Sequence, residues 1–219
     1  QMFFYYCWLV RGGGRNVLVD TGFELAEAHR FMPEMTQAPG EALLPQLKGH
    51  GLSPDDIDTV IITHVHFDHC SSLLERFGKA NIVLQERELT FHLNPPHPWF
   101  SQFTVMPLLH KMRTEWKPRV RLIRGEAEIV PGISVFHAGG HTHGLQSVRV
   151  QTDGGPAIIT SDVVFTYENI ERDIPVGFAS NLEECYRAMA RIRNEFRPEL
   201  IIPSHDPLVV ERWDKAGRT

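Results

Sequence analysis

The stretch Thr59-Val60-Ile61-Ile62-Thr63-His64-Val65-His66-Phe67-Asp68-His69 decides how this chain is read. Five β-branched residues in a row, without polar alternation, mark a strand covered on both faces. Three imidazoles and a carboxylate follow at its end. While the backbone stays extended, alternate side chains share a side, so His64, His66 and Asp68 line up. His69 then swings in where the chain turns. Imidazole nitrogen with carboxylate oxygen is the donor mix of a borderline divalent ion such as zinc. Histidine is 12 of 219 residues, and H-x-H-x-D-H is then expected by chance about 0.002 times per chain. Zinc takes four or more donors and two adjacent ions need more still, so further ligands must come from elsewhere in the sequence.

Outward from this strand, strands and helices alternate. Strands are expected over 3–10 and 16–20, with Gly12-Gly13-Gly14 as the hairpin turn, and over 80–84, 120–123, 127–130, 133–137, 146–151, 157–161 and 200–202. Helices are expected over 23–30, 41–48, 71–77, 86–91 and 182–196, with a short turn after Ser53-Pro54. The helix over 182–196 carries Leu182, Cys185, Tyr186, Met189, Ile192 and Phe196 on one stripe. Residues 94–118 are proline-rich and aromatic, break the alternation, and read as an insertion or lid. No repeat or linker appears, so the expectation is one α/β domain over 1–219, with two sheets and helices outside.

Net charge is −5 and the isoelectric point is about 6.2. That argues against a nucleic-acid or anionic-membrane partner, both of which need clustered Lys and Arg. No apolar run reaches the length of a membrane span. Cys7, Cys70 and Cys185 are odd in number and widely spaced, which suits a reducing, cytoplasmic setting.

Four further stretches join the histidine motif: Val19-Asp20-Thr21-Gly22, Gly139-Gly140-His141-Thr142, Thr160-Ser161-Asp162 and Pro203-Ser204-His205-Asp206. In this order they resemble the metallo-β-lactamase superfamily, from about Val17 to His205. The resemblance implies an αββα sandwich of two mixed β-sheets flanked by helices, with a dinuclear site at one edge. It implies two divalent metal ions, with zinc expected first and iron or manganese as alternates. His64, His66 and His141 would hold the first ion, and Asp68, His69 and His205 the second. Asp162 would bridge both, and Asp20 would fix a ligand imidazole from behind.

Within the superfamily the chain looks most like the N-acyl-homoserine lactonases and pyridoxolactonases, in residues 63–73, in Ser161 to Asn169 and in the ending IIPSHD. That likeness implies opening of a small-molecule lactone or other cyclic ester by a hydroxide bridging two metals, with Asp68 as proton carrier. Two departures stand out. The tyrosine those enzymes place three residues after the bridging aspartate is Phe165 here, which makes Tyr167 a candidate catalytic donor. The run G-H-T-P-G-H reads Gly140-His141-Thr142-His143-Gly144-Leu145, which makes His143 a second candidate. Phe31 to Met35 and Trp99 to Trp116 are nominated as pocket walls, with loop packing or a homodimer surface as the alternative. Rival readings are a glyoxalase II-like thioesterase, using Arg212, Lys215 and Arg218, a mononuclear-iron enzyme like the persulfide dioxygenases, and a non-catalytic metal-binding protein.

Overall fold

A computed structural model describes residues 3–213 of the 219. The chain divides into two compact units, Cys7–Leu122 and Gln1–Tyr6 with Ile123–Thr219.

The unit over 7–122 is built on β1 (Trp8–Gly12), β2 (Arg15–Val19), α1 (Leu25–Ala28), α2 (Leu43–Gly49), β3 (Thr59–Ile61), β4 (Asn81–Gln85), α3 (Glu86–Leu93), α4 (Met106–Arg113) and β5 (Val120–Ile123). Its sheet runs β1-β2-β3-β4-β5. β1 pairs antiparallel with β2, whereas β2, β3 and β4 are parallel. Val19 lies opposite Ile61, and Ile61 opposite Val83. Parallel strands in this register end together, so the loops after β2 and β3 leave from one edge, where α/β proteins place their sites. Leu18, Val60, Ile62, Ile82 and Leu84 form the core with Leu74, Phe77 and Leu89.

Residues 94–118, expected as an insertion or lid, contain α4. Its Leu108, Leu109 and Met112 are buried in that same core. Pro107 sits in the first turn, where its missing N–H costs nothing. The density of prolines hid this helix from a periodicity argument. The segment expected as helix over 71–77 is a 3-10 turn, Ser72–Arg76, capped by the Ser71 hydroxyl accepting from Leu73 N at 3.3 Å.

The second unit holds β6 (Ala127–Val130), β7 (Ile133–His137), β8 (Gln146–Thr152), β9 (Gly155–Ile159), α5 (Tyr167–Arg172), α6 (Leu182–Glu195), β10 (Ile201–Ile202) and α7 (Leu208–Trp213). Its sheet order is β10-β9-β8-β7-β6, antiparallel except for the β9–β10 pair. Helix α6 packs Ala188, Met189 and Ile192 onto Phe136, Ile158 and Ile201. Leu182 and Tyr186, expected on the buried stripe, are exposed (57% and 46%). They flank the stripe, which is only about 100° wide.

Two other boundaries differ from expectation. The first strand starts at Trp8, not Phe3. The preceding residues join the second unit, where Phe4 N donates to His205 O at 3.2 Å. β9 stops at Ile159 because Ser161 takes a left-handed turn, φ +54°. Two mixed five-stranded sheets with flanking helices agree with the α/β class expected. No helix among the described residues is long and apolar enough to cross a membrane.

Candidate metal centre

In the unit over 7–122, the chain stays paired just beyond β3, with Ile62 N donating to Val83 O at 2.8 Å. It turns at His66, whose carbonyl accepts from both His69 N (3.0 Å) and Cys70 N (2.8 Å). The alternation expected for His64, His66 and Asp68 therefore holds only for the first two. His64 Nε2 and His66 Nδ1 lie 3.2 Å apart. Asp68 arrives on the turn beside His69, Oδ2 to Nε2 3.3 Å. The turn thus splits one motif into two donor pairs.

Asp20 stands behind both pairs. Its backbone is left-handed, φ +61°, a conformation Asp tolerates better than most residues. Its carboxylate accepts from Thr63 N (2.7 Å), the Thr63 hydroxyl (2.8 Å) and His69 Nδ1 (2.8 Å). With its proton committed to Asp20, the Thr63 hydroxyl can only accept from His64 Nδ1, at 3.3 Å. One carboxylate so fixes the tautomer of two imidazoles, leaving Nε2 as the unprotonated nitrogen that could take a metal ion. Burial pushes the Asp20 carboxyl above its ordinary range, while His69 and Thr63 pull it back. Cys70 is buried beside this cluster, and burial raises its thiol well above normal, which makes it a packing residue rather than a nucleophile.

The second unit repeats this logic. Gly140, φ +84°, brings its backbone against α6, and a Cβ there would lie 2.9 Å from Cys185 N. This close approach seats His141, whose Nδ1 donates to Phe178 O at 2.6 Å. Asp162 lies on the turn after β9, on a short 3-10 segment, Ser161–Val163. His205 follows β10, and its Nδ1 donates to Phe4 O at 2.7 Å. Both imidazoles aim Nε2 at Asp162: His141 to Oδ2 at 3.4 Å and His205 to Oδ1 at 3.2 Å. All three are buried. Imidazoles with fixed outer nitrogens, converging on a carboxylate, are the donor set a divalent cation takes.

The other candidates are placed as follows. Phe165 sits edge-on to His141 and His205, ring centroids 5.5 and 5.1 Å away. Tyr167 opens α5, with its N–H on Asp206 Oδ2 (2.8 Å) and its ring 3.8 Å from the Arg212 guanidinium. His143 is half-buried, and its carbonyl accepts from His137 Nε2 at 2.9 Å. Lys215 and Arg218 lie outside the described residues. The roles of Phe4, Phe178, Thr63 and Asp206 were not visible in the sequence. Two of them act through backbone carbonyls, which leave no mark in a side-chain pattern.

A pocket of about 420 Å³ in the unit over 7–122 is walled by Phe31, Val105, Met106, Pro107 and Leu108, with Glu27, Arg30 and Glu75 as the charged residues on its lining. Both nominated segments supply its walls. Phe31 stacks on Phe67 of the histidine motif, centroids 4.6 Å apart and planes within 8°.

Paired imidazole and carboxylate donors at the strand ends of two mixed sheets are the equipment of a metal-dependent hydrolase. The chain belongs to the metallo-beta-lactamase superfamily, whose pattern it matches over residues 2–205. An N-acyl homoserine lactonase from a Bacillus species is 28% identical over 191 residues, covering 81% of this chain and 71% of that protein. The N-acyl homoserine lactonase of Bacillus thuringiensis is 26% identical over 217 residues, covering 92% and 80%. Among solved structures, an N-acyl homoserine lactone hydrolase with N-hexanoyl-L-homoserine bound at its catalytic metal center superposes with a TM-score of 0.75 at 25% identity, covering 99% of this chain and 85% of that one.

Proposed function

We propose that this protein is a lactonase, a metal-dependent hydrolase that opens a small-molecule lactone or a related cyclic ester. In this reading His64, His66 and His141 hold one divalent ion and Asp68, His69 and His205 a second, and Asp162, whose carboxylate lies beside both His141 and His205, serves both. Zinc suits these donors best, with iron or manganese as alternates. When bound, such ions supply Lewis acidity and a water of lowered pKa. The observation that carries the reading is Asp162 held between the inner nitrogens of His141 and His205, each ring locked from outside by a backbone carbonyl.

The remaining roles belong to the chain's own groups. Asp68 is the most exposed donor, its side chain 12% accessible, which suits a group that takes a proton and passes it to the leaving oxygen. Phe165 packs edge-on against His141 and His205 and offers no hydrogen-bond donor. Tyr167 and His143 are the candidates for that duty. The apolar pocket at Phe31, Val105 and Met106 fits the acyl portion of an ester better than a charged polymer, in keeping with a net charge of −5. Cys7, Cys70 and Cys185 are free thiols, which accords with a cytoplasmic setting.

Metal analysis by mass spectrometry, paired with a panel of lactones, linear esters and thioesters, tests the proposal. Two ions per chain and preferred turnover of lactones is the expected result. Preferred thioester turnover would move the assignment to the thioesterases, and one iron with oxygen uptake to the dioxygenases. Asp162→Ala should lose metal and activity together.

A further inference from the structure

We infer that Glu88 is a positioning residue for the His64–His66 donor pair, acting through the backbone between them. The inference rests on the metal assignment proposed above. Glu88 lies on α3 and is wholly buried. A buried carboxylate is costly unless it is hydrogen-bonded, so what it touches is informative. Its Oε1 accepts from Val65 N at 3.0 Å. Val65 is the residue between His64 and His66, and its N–H is not used by the sheet, since β3 has ended at Ile61.

The anchor continues one helical turn along α3. His92 Nε2 lies 3.4 Å from Glu88 Oε1, and His92 Nδ1 is 3.3 Å from the Thr104 hydroxyl. Thr104 in turn forms a β-bridge with His66, while Phe67 N donates to Phe103 O at 2.8 Å. The His92 ring meets the His66 ring edge-on, centroids 6.1 Å apart. Glu88, His92 and Thr104 therefore grip the His64–His66 segment from the side opposite in sequence to the Asp20–Thr63 grip. Asp20 sets the rings of His64 and His69. Glu88 sets the backbone from which His64 and His66 project, and with it their 3.2 Å nitrogen spacing. Nothing in the histidine motif signals this partner, which lies 19 residues past His69.

The test is stepwise zinc titration of Glu88→Gln against a chromophoric chelator, with far-UV circular dichroism and melting of the metal-free protein alongside. Glutamine keeps the size and an acceptor oxygen but loses the charge that strengthens the bond to Val65 N–H. One of the two zinc dissociation constants should weaken about 10- to 100-fold, the usual consequence of losing a group that supports a ligand. The other should stay within about threefold, and the fold should be unchanged. Thr104→Val, which breaks the far end of the chain, should weaken the same constant by a smaller factor, and it carries the test if Glu88→Gln does not fold. Two unaltered zinc constants in both variants would overturn the inference, as would equal weakening of both constants. Wild-type protein that takes up fewer than two ions would instead overturn the metal assignment beneath it.

Discussion

Asp20 Oδ2 accepts from His69 Nδ1 at 2.8 Å, and the same carboxylate reaches His64 through the Thr63 hydroxyl. Two imidazoles on different sides of a turn are thereby oriented by one residue that precedes them by 44 and 49 positions in the chain. Asp20→Asn keeps a side chain that tolerates the left-handed backbone but removes the charge. Metal affinity should fall by about 10- to 100-fold with the fold retained, as measured by zinc competition and circular dichroism. Asp20→Ala adds backbone strain of about 1 kcal/mol and should also lower the melting temperature.

Phe165 packs edge-on against His141 and His205, at the position where the lactonases the chain resembles carry tyrosine. Phe165→Tyr places a hydroxyl beside the His141 and His205 imidazoles without changing the ring. Because an oxyanion donor is typically worth about 3 kcal/mol, lactone turnover should rise at least tenfold. Steady-state kcat on a lactone series measures this. An unchanged kcat would show that the donor is supplied elsewhere, with Tyr167→Phe and His143→Ala as the next variants.

Burial holds the Cys185 thiol up at about 11 and raises that of Cys70 further, against an ordinary value of 9.0. At pH 8 both should resist iodoacetamide in the folded protein and react once it is denatured, as read by mass spectrometry. A thiol whose folded pKa is raised stabilises the fold fully below the unfolded pKa. For Cys185 that stability fades as pH climbs from about 9 toward 11, where only the unfolded chain ionises, at up to roughly 1.4 kcal/mol per pH unit. Alkaline unfolding midpoints of wild type and Cys185→Ser, each measured relative to its own value at pH 7, should diverge above pH 9.

Gly140 combines a left-handed backbone with contact against the first turn of α6. Gly140→Ala meets both penalties, the strain of about 1–2 kcal/mol and displacement of a helix backbone. At 2–4 °C per kcal/mol for a chain this long, the melting temperature should fall by roughly 5 °C or more. His141 is seated by this approach, so zinc content should fall with it. Differential scanning calorimetry and metal analysis read the two effects.

Much of this was legible in the residues. The run Thr59 to Thr63 announced a buried strand because β-branched residues without alternation have nowhere else to go. The helix over 182–196 was legible because its apolar residues recur at helical spacing, although the exposed Leu182 and Tyr186 show that the stripe was drawn too wide. α4 was not legible, since Pro107 and its neighbours carry turn signals that the burial of Leu108, Leu109 and Met112 overrides. Tyr167 would share a side with Phe165 only on an extended chain, but a helix begins there, and its ring lies against Arg212.

What the sequence displayed on its own was the cluster His64, His66, Asp68 and His69 at the end of one strand, since donor type and strand periodicity are local properties; His141, Asp162 and His205 entered only through the family resemblance. Which nitrogen each imidazole presents was decided only by tertiary structure. Phe178 O, Phe4 O and Asp20 select the tautomers of His141, His205 and His69, and Glu88 holds Val65 from a distant helix. Backbone carbonyls are the same in every residue, so their partners exist only once the chain has folded around them.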